Sequence, residues 1–143
     1  HGKLVENSFS SSDKVNKICW DRKIEYKDLV EYYKGLISLR KEYKSFRMNS
    51  NKDIQKNIHF LEKGKDFESD NLVAYIIDSK NIDDKCSKIA VIINASETEE
   101  VVKLSEENWG VFVNDKRAGK DLIEKVNSGI VNISAKSIKV LIK

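Results

Sequence analysis

The hydrophobic pattern of the chain changes its period once, and this change restricts the fold more than any other feature. Between residues 26 and 43, apolar side chains recur at the i, i+4, i+7 and i+8 spacing of one helical face. From Ile58 onward, apolar residues come in short runs separated by loops rich in Gly, Asn, Asp, Ser and Lys. The chain is therefore expected to form one long helix and then a region of strands. The predicted helical face consists of Leu29, Tyr33, Leu36, Ile37 and Arg40, joined by Tyr26 and Val30.

The strand region has no long helical pattern between its apolar runs. Several short strands at this spacing predict an antiparallel β-sandwich, so the fold class is mainly β. Ser50 with Asp53 three residues later predicts the capped start of a short helix before the first strand. Gly35 predicts a close contact of the long helix, because glycine inside a helix is otherwise unfavourable. The predicted strands cover residues 58–62, 72–78, 88–94, 100–104, 109–114, 122–126, 130–133 and 137–142.

Composition excludes several classes of protein. With 143 residues, 40% of them hydrophobic and 34% charged, the chain has the composition of one globular domain with a short flanking segment. Its 26 basic and 23 acidic residues are intermingled, which argues against a nucleic-acid-binding patch. The longest apolar runs, Leu72–Ile77 and Ile89–Ile93, are far shorter than the ~20 residues of a membrane span. No signal peptide is expected at the start of the chain, and its localisation stays open between cytoplasm and secretion.

The soft ligands are too few and too scattered for a metal site. Cys19 and Cys86 belong to no CxxC pattern, and the two histidines, His1 and His59, form no ligand pair. We therefore predict no metal, no cofactor and two buried thiols. A disulfide between the cysteines stays open, because sequence does not show whether they are close in space.

The helical face requires a partner. Burying five or six large side chains contributes roughly 1.5–3 kcal/mol each, a sum comparable with the net stability of a whole domain. A sandwich already has its own core. The helix is therefore expected either to pack on the flank of the sandwich or to have its main partner outside this chain.

Ordered motifs run through most of the chain: Asn7-Ser8-Phe9, Asp13, Val15-Asn16, Ile18, Trp20, Arg22-Lys23, Tyr26, Tyr32–Ile37, Leu39–Lys41, Phe46–Met48, Val73–Tyr75, Val91–Ala95, Trp109, Val111, Val113, Ala135, Ser137 and Val140-Leu141. Residues 7–26 are similar to the segment after the last barrel strand of type I pullulanases, α-amylase-type glycoside hydrolases that cut α-1,6 branches. The following helix and its exit resemble the final barrel helix of that family. This chain departs from the family pattern at two places: Tyr43-Lys44 stands where a His-Pro pair is usual, and Ser134 stands where a proline before the last strand is common.

The resemblance implies a domain arrangement. Residues 1–57 would be the last loop, last helix and exit of a truncated (β/α)8 catalytic barrel, and residues 58–143 a C-terminal sandwich. Because barrel active sites are built from the loops after the strands, residues 1–25 would lie on the rim of the substrate cleft. The implied partners are the upstream barrel of the same polypeptide and an α-glucan such as pullulan, amylopectin or glycogen.

The resemblance also implies that the catalytic groups lie elsewhere. Retaining glycosidases need two carboxyl groups about 5–5.5 Å apart. The family carries its nucleophile, acid/base and further Asp on earlier barrel strands, and no position of this chain matches them. No catalytic residue is therefore predicted, and the chain by itself is expected to be inactive.

Asn7 and Asp13 are the candidate substrate-binding residues of the implied rim loop. Their amide and carboxylate groups can bond the paired hydroxyls of a sugar, or they can fix the loop by bonds to its own backbone. Phe9 or Trp20 could stack on a sugar, although core packing is the favoured interpretation for Trp20. His59 is predicted on the outward face of a strand, and Trp109 in the core, because Val111 and Val113 share its face.

Two other functions compete with the role of an enzyme's non-catalytic tail. The sandwich could be a stand-alone carbohydrate-binding module, or the chain could retain residual hydrolysis. If the barrel is missing, the face of Leu29, Tyr33, Leu36 and Ile37 is expected to be exposed. Self-association, or disorder of the N-terminal quarter, would then follow.

Overall fold

The computed structural model describes residues 7–143. Residues 1–6 lie outside the described part. They belong to the predicted rim loop and to the start of the chain, where no signal peptide is expected. The chain forms two compact units that meet in sequence between Val30 and Glu31. A boundary between two compact units does not have to coincide with a boundary between two evolutionary domains. The division of the chain at residue 57 therefore stays a prediction.

The described part of the first unit has two helices of one turn each, α1 (Asp13–Asn16) and α2 (Arg22–Glu25). Neither helix contains a buried residue. The Asn16 side chain holds the loop before α1, because its Nδ2 donates to the carbonyl oxygens of Ser8 at 2.8 Å and Ser11 at 3.0 Å. Local hydrogen bonds rather than an apolar core therefore shape this segment.

Helix α3 (Lys27–Glu42) lies within one residue of its predicted ends. A 3₁₀ turn (Lys44–Arg47) and helix α4 (Asn51–Asn57) follow it. Ser50 is the N-cap of α4, since its hydroxyl accepts a bond from the Asp53 backbone N–H at 3.4 Å. The predicted cap is thus confirmed, and α4 leads directly into the first strand.

Eight strands form at the eight predicted places. A six-stranded sheet has the order β1-β2-β3-β8-β5-β6, and β4 pairs with β7 in a second, two-stranded sheet. Every neighbouring pair is antiparallel, which confirms the predicted antiparallel sandwich. The strands are β1 (Ile58–Phe60), β2 (Leu72–Asp78), β3 (Lys88–Asn94), β4 (Glu100–Lys103), β5 (Trp109–Val113), β6 (Glu124–Val126), β7 (Ile130–Ile133) and β8 (Ser137–Ile142).

Both faces of the six-stranded sheet carry buried side chains, so the sheet separates two apolar clusters. One cluster fills the space between the two sheets and includes Trp109, Ile92 and Val131. The other lies on the opposite face and joins sheet residues such as Ile89 to Leu39 of α3. The second unit therefore has three layers, in which the helix covers part of the sheet face that the small sheet leaves open.

A β-bulge in β5 allows one strand to serve both clusters. The pairing of β5 with β8 shifts by one residue between Val111 and Val113. Such a bulge turns consecutive side chains relative to the sheet. Val111 consequently packs in the cluster between the sheets, whereas Val113 packs in the cluster under the helix, beside Phe112.

Candidate functional site

Helix α3 has one side that is covered within this chain. Leu39 is 3% exposed, and Tyr43, just past the helix end, is 9% exposed. Tyr32 and Leu36 are partly buried against the same cluster of sheet residues. These four positions follow the i, i+4, i+7 and i+11 spacing of one helical face. We call them the covered side of α3.

Two contacts fix the rotation of α3 on the sheet. The Tyr32 hydroxyl donates to the main-chain carbonyl of Asn114, in the loop after β5, at 2.8 Å. Gly35 packs against the same loop so closely that a Cβ atom there would lie 1.8 Å from the Ala118 carbonyl oxygen. The predicted close contact at Gly35 is therefore confirmed. Burial, together with the Asp115 carboxylate, raises the pKa of Tyr32, which keeps its phenol protonated as a donor.

A polar anchor fixes the exit of the helix. The Ser45 backbone N–H and hydroxyl both donate to Asp84 Oδ2, at 2.7 and 2.6 Å, and the hydroxyl also lies 2.8 Å from that of Ser79. Burial acts to raise the pKa of Asp84, but the hydrogen bonds from Ser45 and from the backbone of Lys85 outweigh it and lower that pKa. The anchor therefore holds a stable carboxylate. Its hydrogen bonds join the exit of the helix to the loop after β2 and hold the chain there.

A second apolar side of α3 is exposed. Leu29 is 56% exposed, Tyr33 60% and Ile37 53%, and the three residues follow each other at i, i+4 and i+8. We call them the exposed side of α3. The predicted face is thus confirmed for these residues and wrong for Leu36, which belongs to the covered side a quarter-turn away. The sequence pattern merged two adjacent sides into one face because both are apolar.

The first unit contains a shallow apolar groove of about 600 Å³. Trp20, which lines it, is 67% exposed, with Lys23 Nζ at 5.7 Å from its ring centroid. The predicted core position of Trp20 is therefore wrong for this chain, because residues 7–30, the described part of the first unit, supply too few apolar neighbours to enclose an indole. Phe9 is 95% exposed for the same reason. The groove is also lined by Val15, Ile18, Cys19, Tyr26, Leu29 and Val30.

The two candidate substrate-binding residues lie at separate positions of the first unit. Asn7 is exposed and has a φ of 53°, in the left-handed region that asparagine adopts more readily than most residues. Asp13 is exposed and begins α1, where its carbonyl accepts the Lys17 N–H at 2.9 Å. This left-handed backbone conformation is by itself a structural reason for an asparagine at position 7. Contact of either side chain with a glucan stays a prediction.

Other residues singled out in the sequence are placed as follows. Trp109 is 2% exposed, and its indole N–H donates to the Glu106 carbonyl at 2.9 Å, so its predicted core position is confirmed. His59 is exposed on β1, as expected. Cys19 is exposed and Cys86 half-buried, and both are free thiols, so the prediction of two buried thiols is wrong for Cys19. Burial raises the pKa of Cys86.

Two features are absent from residues 7–143. Within this range, no three His, Cys, Asp or Glu side chains come together as a possible metal site. No helix of the same described residues is both long and apolar enough to cross a bilayer.

Sequence reasoning missed a buried asparagine that joins the two sheets. Asn94 at the end of β3 is 2% exposed, and its Nδ2 donates to the carbonyl oxygens of Thr98 at 2.8 Å and Ser134 at 3.0 Å. Its Oδ1 accepts the Ser96 N–H at 2.9 Å. An Asn that ends an apolar run before a Ser/Thr-rich turn is a usable signal for such a link.

Comparisons with known proteins identify the family. The profile of the family "Alpha-1,6-glucosidases, pullulanase-type, C-terminal" matches residues 20–140. A pullulanase of Bacillus subtilis is 39% identical over 92 residues, 64% of this chain but only 12% of the relative. The pullulanase from Bacillus acidopullulyticus superposes with a TM-score of 0.88 at 28% identity, over 97% of this chain and 16% of that one.

A third likeness is to the catalytic module of a multi-modular, glycogen-degrading pneumococcal virulence factor. It has a TM-score of 0.73 and 27% identity, and it covers 92% of this chain and 21% of that module. The chain thus spans only about an eighth to a fifth of the length of these proteins. Since the family profile matches most of the sequence, the chain belongs to the C-terminal family of pullulanase-type α-1,6-glucosidases.

Proposed function

We propose that this chain is the non-catalytic C-terminal portion of a multidomain glycosidase that hydrolyses α-1,6 branches in α-glucans. Within that enzyme it stabilises the catalytic barrel and contributes one rim loop of the substrate cleft. The exposed side of α3 carries the proposal. A helix that is already packed on a sheet, yet presents a second apolar side to solvent, has the pattern of an element buried from two directions.

The energy available from covering the exposed side supports a stabilising role. Leu29, Tyr33 and Ile37 are each a little more than half exposed. Completing the burial of three such side chains contributes on the order of 3 kcal/mol. That amount is a large fraction of the stability of a typical domain, so the catalytic barrel would gain measurably from the contact. The apolar groove beside Trp20 offers further surface of the same kind.

The proposed domain arrangement is the one that the resemblance implies. Residues 1–57 contribute the final loop, helix and exit of the barrel, and residues 58–143 form the sandwich. The likeness to a relative's catalytic module, rather than to a separate appended module, supports this arrangement. Asn7 and Asp13, both exposed, are the proposed glucan contacts of the rim loop.

The stabilising role is tested in a longer polypeptide that contains both the proposed catalytic barrel and this chain. Ile37→Asp places a charge on the exposed side of α3 and should lower the midpoint of thermal inactivation of pullulan hydrolysis by several degrees, since ~1 kcal/mol corresponds to about 2–4 °C in larger domains. Ile130→Asp is the matched control, because Ile130 is 57% exposed on β7 of the small sheet. Equal effects of the two substitutions would contradict the stabilising contact.

The rim loop is tested by kinetics at a temperature where all variants are folded. Asn7→Ala and Asp13→Ala should raise KM for pullulan, while Lys14→Ala, an exposed neighbour, should leave it unchanged. Unchanged constants in both variants would favour the loop-fixing interpretation of the two side chains.

The 143-residue chain by itself is expected to show no hydrolysis of pullulan in a reducing-end assay, because no residue matches the family's catalytic carboxylates. Measurable activity would contradict the assignment as a non-catalytic portion. Retardation of the chain in pullulan or amylopectin gels would instead support a stand-alone carbohydrate-binding module.

A further inference from the structure

The sheet face under α3 carries a second apolar surface that the helix does not cover. Phe60 is 68% exposed, Val73 48% and Ile93 40%. Tyr75 and Ile138 beside them are half-buried. We call these five residues the sheet patch. They come from four different strands, β1, β2, β3 and β8.

The register of the strands shows that the sheet patch is continuous. Phe60 lies opposite Tyr75, with ring centroids 5.6 Å apart, and Val73 lies opposite Ile93, which in turn lies opposite Ile138. Directly opposed residues of an antiparallel pair have Cβ atoms about 4.5–5.5 Å apart and therefore touch. The patch is thus one surface rather than a scatter of single apolar residues.

The same register joins the sheet patch to the surface that α3 covers. Tyr75 lies opposite Val91, and Val91 opposite Val140. Both valines are buried, at 3% and 4% exposure, in the cluster that contains Leu39 and Tyr43. Val73, Ile93 and Ile138 each lie two positions along their strands from this row, so they occupy the same face. The apolar surface therefore extends beyond the helix without a break.

The outer face of the small sheet provides an internal comparison. Val101 and Ile130 there are 46% and 57% exposed, similar to the patch residues. Each lies opposite a polar side chain, Val101 opposite Asn132 and Ile130 opposite Lys103. Single apolar residues among polar neighbours are ordinary surface. A contiguous apolar face free of charged members is typical of a protein contact.

We propose that the sheet patch is a second docking surface for the catalytic domain of the same polypeptide. It is continuous with the part of the sheet that α3 covers. This inference rests on the proposed function. Three observations select this occupant. The patch is continuous with the sheet surface under the helix that is itself proposed to pack on the barrel. The chain is also similar to a relative's catalytic module, and about four-fifths to nine-tenths of the length of these relatives lies outside this chain.

Hydroxyl-radical footprinting of the 143-residue chain and of the longer polypeptide tests the proposal. Oxidation of Phe60 should fall about fivefold or more in the longer polypeptide, because the core of an interface excludes water. Ile130 is the internal control and should change by less than about twofold. Pullulan hydrolysis is measured on the same sample.

Each outcome separates the two proposals. If the longer polypeptide hydrolyses pullulan while Phe60 oxidises as fast as in the chain alone, the docking surface is refuted and the proposed function stands. If it has no glycosidase activity, the proposed function fails and this inference falls with it. Protection of Phe60 in the chain alone at high protein concentration would assign the patch to a second copy, and protection by maltotetraose would assign it to glucan; either result overturns the proposal.

A substitution gives an independent readout. Phe60→Lys changes a residue that is largely exposed, so the chain alone should keep its urea midpoint. In the longer polypeptide, the half-life of activity at elevated temperature should fall severalfold while kcat at low temperature is unchanged. Ile130→Lys should leave both values unchanged, and an equal loss from the two variants would contradict the proposal.

Discussion

The two compact units of this chain use similar apolar side chains in opposite ways. In the first unit, Trp20 is 67% exposed and Ile24 81% exposed. In the second unit, Trp109 is 2% exposed and Ile89 fully buried. Both units contain regular secondary structure, so the difference is not one of secondary structure. A segment of short helices has no sheet of its own to pack on, whereas the strands of the second unit supply two faces.

Helix α3 shows the same contrast along a single element. Leu39 is buried on the sheet, while Ile37, two residues earlier, is 53% exposed. An apolar pattern therefore indicates that an element must be buried, but it does not indicate which partner buries it. Four pairs of measurements within the chain test this interpretation.

The largest expected effect compares the two tryptophans. Trp109→Ala should lower the free energy of unfolding by about 3–5 kcal/mol, because it removes a fully buried indole. Trp20→Ala should change it by less than about 0.5 kcal/mol, as for other exposed positions. Urea denaturation followed by far-UV circular dichroism measures both. A large cost at Trp20 would show that the first unit has a core of its own, and the contrast between the units would fail.

The second comparison lies within α3. Leu39→Ala should cost about 2–4 kcal/mol through the cavity it leaves under the helix. Ile37→Ala should cost less than about 1 kcal/mol, since half of the side chain is already in water and alanine favours the helix. The same urea experiment applies. Equal costs would mean that the exposed side of α3 is covered in solution, for instance by a second copy, which sedimentation would detect.

The third comparison concerns pH. Hydrogen bonds from Lys143, at 2.7 Å, and from Lys88 lower the pKa of Glu106 from its ordinary 4.5 to about 2. A carboxyl whose folded pKa is depressed stabilises the fold above its unfolded pKa, and this contribution disappears as pH falls through the folded value. The three side chains are partly exposed, so the contribution is about 1 kcal/mol.

Glu106→Gln provides the measurement. The difference in unfolding free energy between wild type and this variant should be present at pH 6 and should shrink between pH 4.5 and pH 2. Trp109 fluorescence in a Trp20→Phe background follows the second unit alone, because the chain has two tryptophans and Trp109 lies in that unit. A difference that is constant across this range would show that the ion pairs contribute nothing.

The smallest effect is a labelling rate. Cys19 is exposed, whereas Cys86 is half-buried with its pKa raised by burial. A thiol reagent reacts with the thiolate, so Cys19 should be labelled at least about tenfold faster at pH 8. Single-cysteine variants, Cys19→Ser and Cys86→Ser, separate the two rates. Faster labelling at Cys86 would contradict the contrast between the units.

Much of the fold was predictable from sequence because its signals are local. The eight strands, the capping bond of Ser50 and the close contact at Gly35 all depend on neighbours a few residues away or on the absence of a side chain. The resemblance supplied the family, and the family profile confirms it. The candidate site was less predictable. The position of Leu36 depends on which of two adjacent helical sides meets the sheet, and that of Trp20 on how much apolar surface a short segment can gather.

Local sequence patterns are sufficient to place α3 and the strands, since hydrophobic periodicity acts over a few residues. The same patterns show that α3 must be buried. Which side of α3 lies on the sheet is visible only in the tertiary structure, because it depends on the contacts of Tyr32 and Gly35 with a loop some eighty residues away. The sheet patch likewise arises from the register of four strands, and register is a property of long-range pairing that no local pattern contains.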